Sequence, residues 1–275
     1  MEARQRVHAV VVREGDVEES WGDARLVTYM RSAAKPFQAL PAAELDLTAN
    51  ELAIACASHG ADPEQLDAVR ALLARSGSGE EDLECGPEQG SRLKHNCSGK
   101  HAAMLAVCAA RGWPREGYRL PGHPLQQEIL AIVAGAAERP AGEIPTANDG
   151  CGVVTFGLPL ERMAHMFARL AQGDLAGSTR VVAAMTAHPK LVEGPGWAAT
   201  ELMLALPGAV AKGGAEGLLC VGLPDGRGLA LKAEDGAARA TAPAAARILG
   251  IPALAETPLV NSRGEHVGTI VAERG

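Results

Sequence analysis

The sequence predicts an α+β fold, an α/β sandwich in which strands from both chain ends form one antiparallel sheet with a helical region beside it. Three observations carry this expectation. Short strand-like runs gather near both ends, apolar residues recur at helical spacing between them, and 275 residues of 47% hydrophobic composition can bury a substantial core. The expected organisation is a single domain over 1–275, sheet-rich at about 1–31 and 207–275 and helical at about 32–206. Only 3% of residues are aromatic, so Ala, Leu and Val must fill the core.

Residues 7–12 and 25–30 read as two strands joined by a loop at Gly15-Asp16. The second strand runs into Arg31-Ser32-Ala33-Ala34-Lys35, which therefore sits at a strand-to-helix junction. Ser32 lies at the helix N-terminus, and Pro36 falls where its missing N–H costs little. Thr48-x-x-Glu51 is a capping box for a helix through Leu52, Ile54 and Cys56 that delivers Ser58-His59 at its C-terminal end. Asp62-Pro63 opens a helix toward Arg75 that stops near Gly77. Ser98 or Asn96 caps a helix to Gly112 with Lys100 in its first turn, and a further helix covers about 125–137.

Asn148-Asp149-Gly150-Cys151-Gly152 is a glycine-rich turn before a strand at 153–156, and helices follow at 160–170 and 180–187. Residues 209–212, 218–223, 228–232 and 267–271 are short strands between Gly-rich turns, interrupted by a helix at 241–249.

A formal charge of −7 argues against a broad nucleic-acid footprint. The N-terminal residues lack the apolar core and cleavage site of a secretory signal, so a cytoplasmic protein is the expectation. Membrane insertion is not expected either, because the most Ala-rich segment carries Gln126, Gln127 and Glu128 and ends on Glu138. Six scattered cysteines in such a protein read as reduced, with Cys56, Cys108 and Cys220 in apolar, core-like runs.

Ser32-x-x-Lys35 places a hydroxyl and an amine on one helical face, where a lysine of lowered pKa can serve as base to a serine nucleophile. Arg31 supplies a neighbouring cation. A lone Ser-x-x-Lys is more often a cap beside a solvated charge. Here Ser58-His59 and Ala211-Lys212-Gly213-Gly214 follow it in the order used by penicillin-recognising enzymes: Ser-x-x-Lys, a central serine, then a Lys-x-Gly strand whose glycines let substrate approach the sheet edge.

Two further segments, His95-Asn96-Cys97-Ser98-Gly99-Lys100-His101 and Asn148 to Gly152, complete the pattern. Together with Met30 to Ala39, Ala55 to His59 and Lys212 to Gly217, they resemble the Rhizobium-type L-asparaginases, the asparaginase II family, over nearly the whole chain. The resemblance implies a fold similar to serine β-lactamases and glutaminases, and hydrolysis of L-asparagine to L-aspartate and ammonia. It implies two serine and lysine pairs, Ser32 with Lys35 and Ser58 with Lys212; Lys232 competes for the second lysine, and Lys212 is preferred for its Lys-Gly-Gly context. It further implies zinc held by Cys97, Lys100 and Cys151, and a homodimer.

Ser32 is the expected nucleophile, with the reverse assignment to Ser58 open. Arg31, His59 and Asp149 are candidate substrate contacts, Arg31 for the α-carboxylate and Asp149 for the α-ammonium. Ala33 stands where the family commonly has another serine, and Gly60-Ala61-Asp62 departs from its more polar segment. Two rivals stay open: a hydrolase of glutamine or β-lactams, and a zinc-stabilised binding protein without activity.

Overall fold

A computed structural model describes residues 1–273. Ten strands and ten α-helices alternate along it. The strands are β1 (Val7–Arg13), β2 (Asp16–Trp21), β3 (Val27–Tyr29), β4 (Thr146–Asn148), β5 (Val154–Pro159), β6 (Val210–Gly214), β7 (Leu218–Gly222), β8 (Arg227–Ala233), β9 (Glu256–Val260) and β10 (His266–Val271). The helices are α1 (Lys35–Gln38), α2 (Ala49–Ala55), α3 (Pro63–Ser76), α4 (Ser98–Arg111), α5 (Pro124–Ala137), α6 (Leu160–Gln172), α7 (Ser178–Ala187), α8 (Pro189–Val192), α9 (Ala198–Ala205) and α10 (Thr241–Leu249).

The main sheet is antiparallel, with strand order β2-β1-β8-β7-β6, so the N-terminal hairpin joins the C-terminal strands as expected. Two details differ from expectation. The partner of β1 across Gly15-Asp16 is β2, a largely exposed strand with charged Asp16, Glu18 and Glu19 that sequence alternation does not reveal but that suits a sheet edge. The strand expected at 25–30 shrinks to β3 and leaves the main sheet to pair with β5 in a three-stranded sheet with β4. Likewise, the strand expected at 267–271 pairs with β9 in a separate hairpin.

Helix α6 lies across the sheet, burying Met163, Ala164, Phe167 and Leu170. Its backbone approaches so closely that a methyl at Gly228 would lie 1.9 Å from the Ala164 carbonyl oxygen, and one at Gly222 would lie 2.0 Å from that of Phe167. Helices α9 and α10 also pack on the sheet, and β7 is buried at every position. Phe37 meets Phe167 edge to face at 5.3 Å, which fixes the segment after Lys35 to α6.

The capping box of Thr48 and Glu51 forms as expected and starts α2, whose end delivers Ser58 and His59. Gly77 and Gly112 terminate α3 and α4 in left-handed conformation, also as expected. At the start of α4 neither Asn96 nor Ser98 caps: Cys97 holds that position without a side-chain cap. Ser98 is instead drawn inward, where its hydroxyl donates to the Leu93 carbonyl at 2.8 Å.

Candidate active site

The chain enters the site through Arg31, a non-glycine residue held at φ +50°, which turns β3 into a 3-10 turn over Arg31–Ala34 and then α1. A left-handed non-glycine residue costs about 1–3 kcal/mol and persists only where its surroundings impose it. Here the Arg31 amide donates to Thr155 Oγ1 at 2.9 Å, and its Nε donates to Asp149 Oδ1 at 2.5 Å. Asp149 in turn accepts from the Gly150 amide at 2.8 Å. Two of the three candidate substrate contacts, Arg31 and Asp149, are thus paired with each other, a cation beside an anion.

Lysine is seldom buried, yet Lys35, Lys100 and Lys212 are each 2% exposed or less. Lys35 Nζ lies 2.5 Å from the Ala57 carbonyl oxygen, 3.4 Å from that of Asn96 and 3.0 Å from Ser58 Oγ. Lys212 Nζ reaches the same Ser58 oxygen at 2.9 Å, the Gly213 carbonyl at 3.2 Å and the Glu193 carboxylate. Ser58 Oγ therefore sits between two amines, held there by its own amide donating to the Val192 carbonyl at 2.7 Å. Lys232, the competitor for the second lysine, faces away and donates to the Ala233 carbonyl at 2.5 Å.

Donor counting separates the two amines. A neutral amine has two N–H donors and one lone pair, an ammonium three donors. The surroundings of Lys35 offer two carbonyls and a hydroxyl that can donate; those of Lys212 offer a carboxylate, a carbonyl and a hydroxyl oxygen that can accept. Ser58 can satisfy both by donating to Lys35 and accepting from Lys212. Burial pushes the Lys35 amine below its ordinary value; Cys97 pulls the other way, and repulsion from Lys212 and Lys100 adds to the lowering.

The pairing expected within Ser32-x-x-Lys35 is not drawn as a hydrogen bond. The carbonyls of Ala57 and Asn96 pull Lys35 toward Ser58, and Ser32 Oγ, half-buried, has no hydrogen-bond partner among the described residues. The turn carrying Ser32 packs against β6, where Gly214 comes so close that a methyl there would lie 2.7 Å from the Met30 carbonyl.

His59 is buried with both ring nitrogens engaged: Nδ1 accepts from the Ala61 amide at 3.2 Å and Nε2 meets Ser98 Oγ at 2.8 Å. Because the Ser98 hydroxyl donates to Leu93, His59 Nε2 is the donor, which makes the ring a neutral Nε2–H tautomer. Burial lowers its pKa to about 4.

Cys97, Lys100 and Cys151 converge from α4 and the 149–152 turn. Lys100 Nζ lies 3.2 Å from Cys151 Sγ, and the neighbouring Cys151 holds the Cys97 pKa well below the usual thiol range against the effect of burial. Burial pulls Lys100 down, but the Cys151 and Cys97 sulphurs outweigh it and raise the pKa overall. Among the described residues no three His, Cys, Asp or Glu side chains form a metal cluster. Two sulphurs with one amine nitrogen still form a donor set that suits zinc once the amine is deprotonated. All six cysteines are free and buried, Cys56, Cys108 and Cys220 in the core as expected.

Glu193 is the site residue that motif reasoning missed. It follows the buried Leu191 and Val192 and opens the turn Gly194-Pro195-Gly196, a context that marks a loop rather than chemistry. Two surface concavities, one lined by Glu80, Pro87 and Arg92 and the other by Leu40, Ile132 and Arg169, lie apart from these residues.

The structure resembles Mglu in its native form, with a TM-score of 0.52 and 17% identity over 89% of this chain and 63% of that one. Against Mglu in its tris and glutamate form the TM-score is 0.52, with 18% identity over 92% and 60%. A β-lactamase from Mycobacterium bovis aligns with a TM-score of 0.47, at 15% identity over 84% and 88%. The chain therefore spans about three fifths of the length of the Mglu structures, and at such identity the likeness concerns the fold alone, a mixed arrangement of helices and antiparallel sheet. No curated protein matches the sequence. The model of the family described as L-asparaginase II matches residues 1–272. With that match spanning the serine, lysine and cysteine segments alike, the chain belongs to the L-asparaginase II family.

Proposed function

We propose that the protein hydrolyses the side-chain amide of L-asparagine to L-aspartate and ammonia through a serine and lysine acyl-enzyme. The observation that carries this is Ser58 Oγ at 3.0 and 2.9 Å from two buried lysine amines. Neither lysine has solvent to share its proton with, so the hydroxyl is the path between them.

In this reading Ser32 Oγ attacks the amide carbon and its proton passes to neutral Lys35. Collapse of the tetrahedral intermediate returns a proton through Ser58 to the departing amine, which leaves as ammonia, and water hydrolyses the remaining β-aspartyl ester. Backbone N–H groups at the start of the Arg31–Ala34 turn stabilise the oxyanion. The Arg31 and Asp149 pair offers opposite charges side by side, matched to an amino-acid α-carboxylate and α-ammonium. His59, its ring nitrogens occupied, acts by holding the Ser58 segment against α4. A second reading makes Ser58 the nucleophile, because Lys35 is bonded to it and not to Ser32.

The test is ammonia release from asparagine, glutamine and buffer alone. Release from asparagine at a kcat/KM at least about tenfold above that for glutamine, a difference of about 1.4 kcal/mol, is the expected result; preference for glutamine would reassign the substrate, and release from neither would leave a binding protein.

We also assign zinc to Cys97, Lys100 and Cys151, where a bound ion would supply a rigid cross-link between α4 and the 149–152 turn that carries Asp149. Elemental analysis of purified protein is expected to show about one zinc per chain, lost in Cys97→Ser and Cys151→Ser. A metal-free wild type whose melting temperature ignores added zinc would remove this assignment. The expected homodimer rests on the resemblance. Among the described residues no helix is long and apolar enough to cross a membrane.

A further inference from the structure

We propose that Glu193 is a positioning residue of the proposed acyl-transfer reaction: it fixes Lys212 as an ammonium aimed at Ser58 Oγ and so decides which of the two lysines is the base. The inference rests on the reading above for its kinetic consequences but not for its geometry.

Glu193 is 6% exposed, and an isolated carboxylate so buried would be costly to keep ionised. Its Oε1 accepts both from Lys212 Nζ and, at 3.0 Å, from the Gly213 amide. These contacts tie the lysine and the backbone of β6 to a single carboxylate oxygen. A methyl at Gly213 would lie 3.0 Å from that oxygen, so the glycine after the lysine also makes room for the carboxylate. The Gly194-Pro195-Gly196 turn carries Glu193 away from α8, with Gly194 at φ +95° and Gly196 at φ +82°, and so directs a loop residue inward.

Around Lys212 the other titratable groups are Lys35 on α1, the Cys56 thiol at the end of α2, and the Cys220 thiol opposite it on β7. Lys35 repels a second charge, and burial keeps both thiols protonated, Cys56 at about 12. Glu193 is thus the anion that balances Lys212. Without it, two amines contacting one hydroxyl would compete for the same proton, and the roles of base and donor would blur.

The test compares wild type, Glu193→Gln and Glu193→Asp. In Glu193→Gln, kcat for ammonia release is expected to fall about 10- to 100-fold, with KM within about twofold of wild type. The alkaline limb of its pH profile should move down by about one unit or more. Glu193→Asp should restore part of both.

The same proton is read without substrate by titrating the Nζ of ¹⁵N-labelled Lys212, assigned with Lys212→Arg. Wild type is expected to show an ammonium at pH 8, with its midpoint lowered in Glu193→Gln. A neutral Lys212 in wild type at pH 8 would overturn the inference even if the variants fail to fold. So would a Glu193→Gln enzyme whose activity drops while limb and midpoint stay put. Should wild type release no ammonia while the midpoint shifts as stated, the substrate reading fails and the role of Glu193 stands.

Discussion

Replacing Ser32 by alanine is expected to lower ammonia release from asparagine at least about 10³-fold, equivalent to about 4 kcal/mol of transition-state stabilisation, and to abolish covalent labelling by a slowly deacylating substrate analogue. The reason is geometric. Ser32 Oγ is half-buried and has no protein partner among the described residues, so it is free to meet an incoming carbonyl. Ser58 Oγ is already committed to two amines and suits a proton relay.

Ser58→Ala is expected to reduce turnover strongly but to leave labelling at Ser32 detectable, since removing a relay slows proton delivery without removing the carbon-attacking oxygen. Intact-protein mass spectrometry checks this directly. A covalent adduct mapped to Ser58, with Ser32→Ala still labelled, would exchange the two roles and bring forward the reading in which Lys35 activates the serine it touches.

Gly228→Ala is expected to be among the most disruptive single-methyl changes in the chain. The added carbon would lie 1.9 Å from the Ala164 carbonyl oxygen and 3.0 Å from the Ala168 amide nitrogen, both backbone atoms of α6. A flexible side chain could swing aside, whereas a helix backbone seated on a sheet can only move as a unit. Helix α6 would have to lift, opening its contacts with β1, β7 and β8 and loosening Phe167 from Phe37.

Overpacking of this kind costs about 3 kcal/mol or more, read as a lower denaturant midpoint and a melting temperature down by about 6–12 °C. Because Phe37 follows the Ser32 segment, activity per folded molecule should fall as well. Gly142→Ala, where nothing lies within 4 Å, is the matched control and should change stability by less than about 0.5 kcal/mol. Equal stability of Gly228→Ala and this control would show that α6 is not seated on the sheet as described.

The elements legible in the sequence were those whose signal is local. The Thr48 and Glu51 capping box, the Asp62-Pro63 start of α3 and the glycine ends of α3 and α4 are each specified by residues within one turn of each other. Strands β6, β7 and β8 announced themselves as apolar runs between Gly-rich turns because both their faces are covered. Strand β2 did not, because a sheet edge needs no core face and its exposed residues carry no apolar alternation. The strand expected at 25–30 was seen, but its sheet was misplaced, since pairing with β5 depends on residues far along the chain.

The same division runs through the site. Motif and resemblance brought out Ser32, Lys35, Ser58, Lys212, Cys97, Lys100 and Cys151 from the sequence, and they gave hydrolysis of an amide as the expected reaction class. Burial depends on what packs around a side chain, so only the tertiary structure could show Lys35 and Lys212 stripped of solvent around one serine oxygen. It also set Lys232 against the Ala233 carbonyl, engaged both ring nitrogens of His59, paired Arg31 with Asp149 and brought in Glu193. A carboxylate on a glycine-rich loop is unremarkable in sequence. Its meaning arises when the fold removes water and leaves it facing a lysine, a contact between residues 19 apart in the chain on different elements.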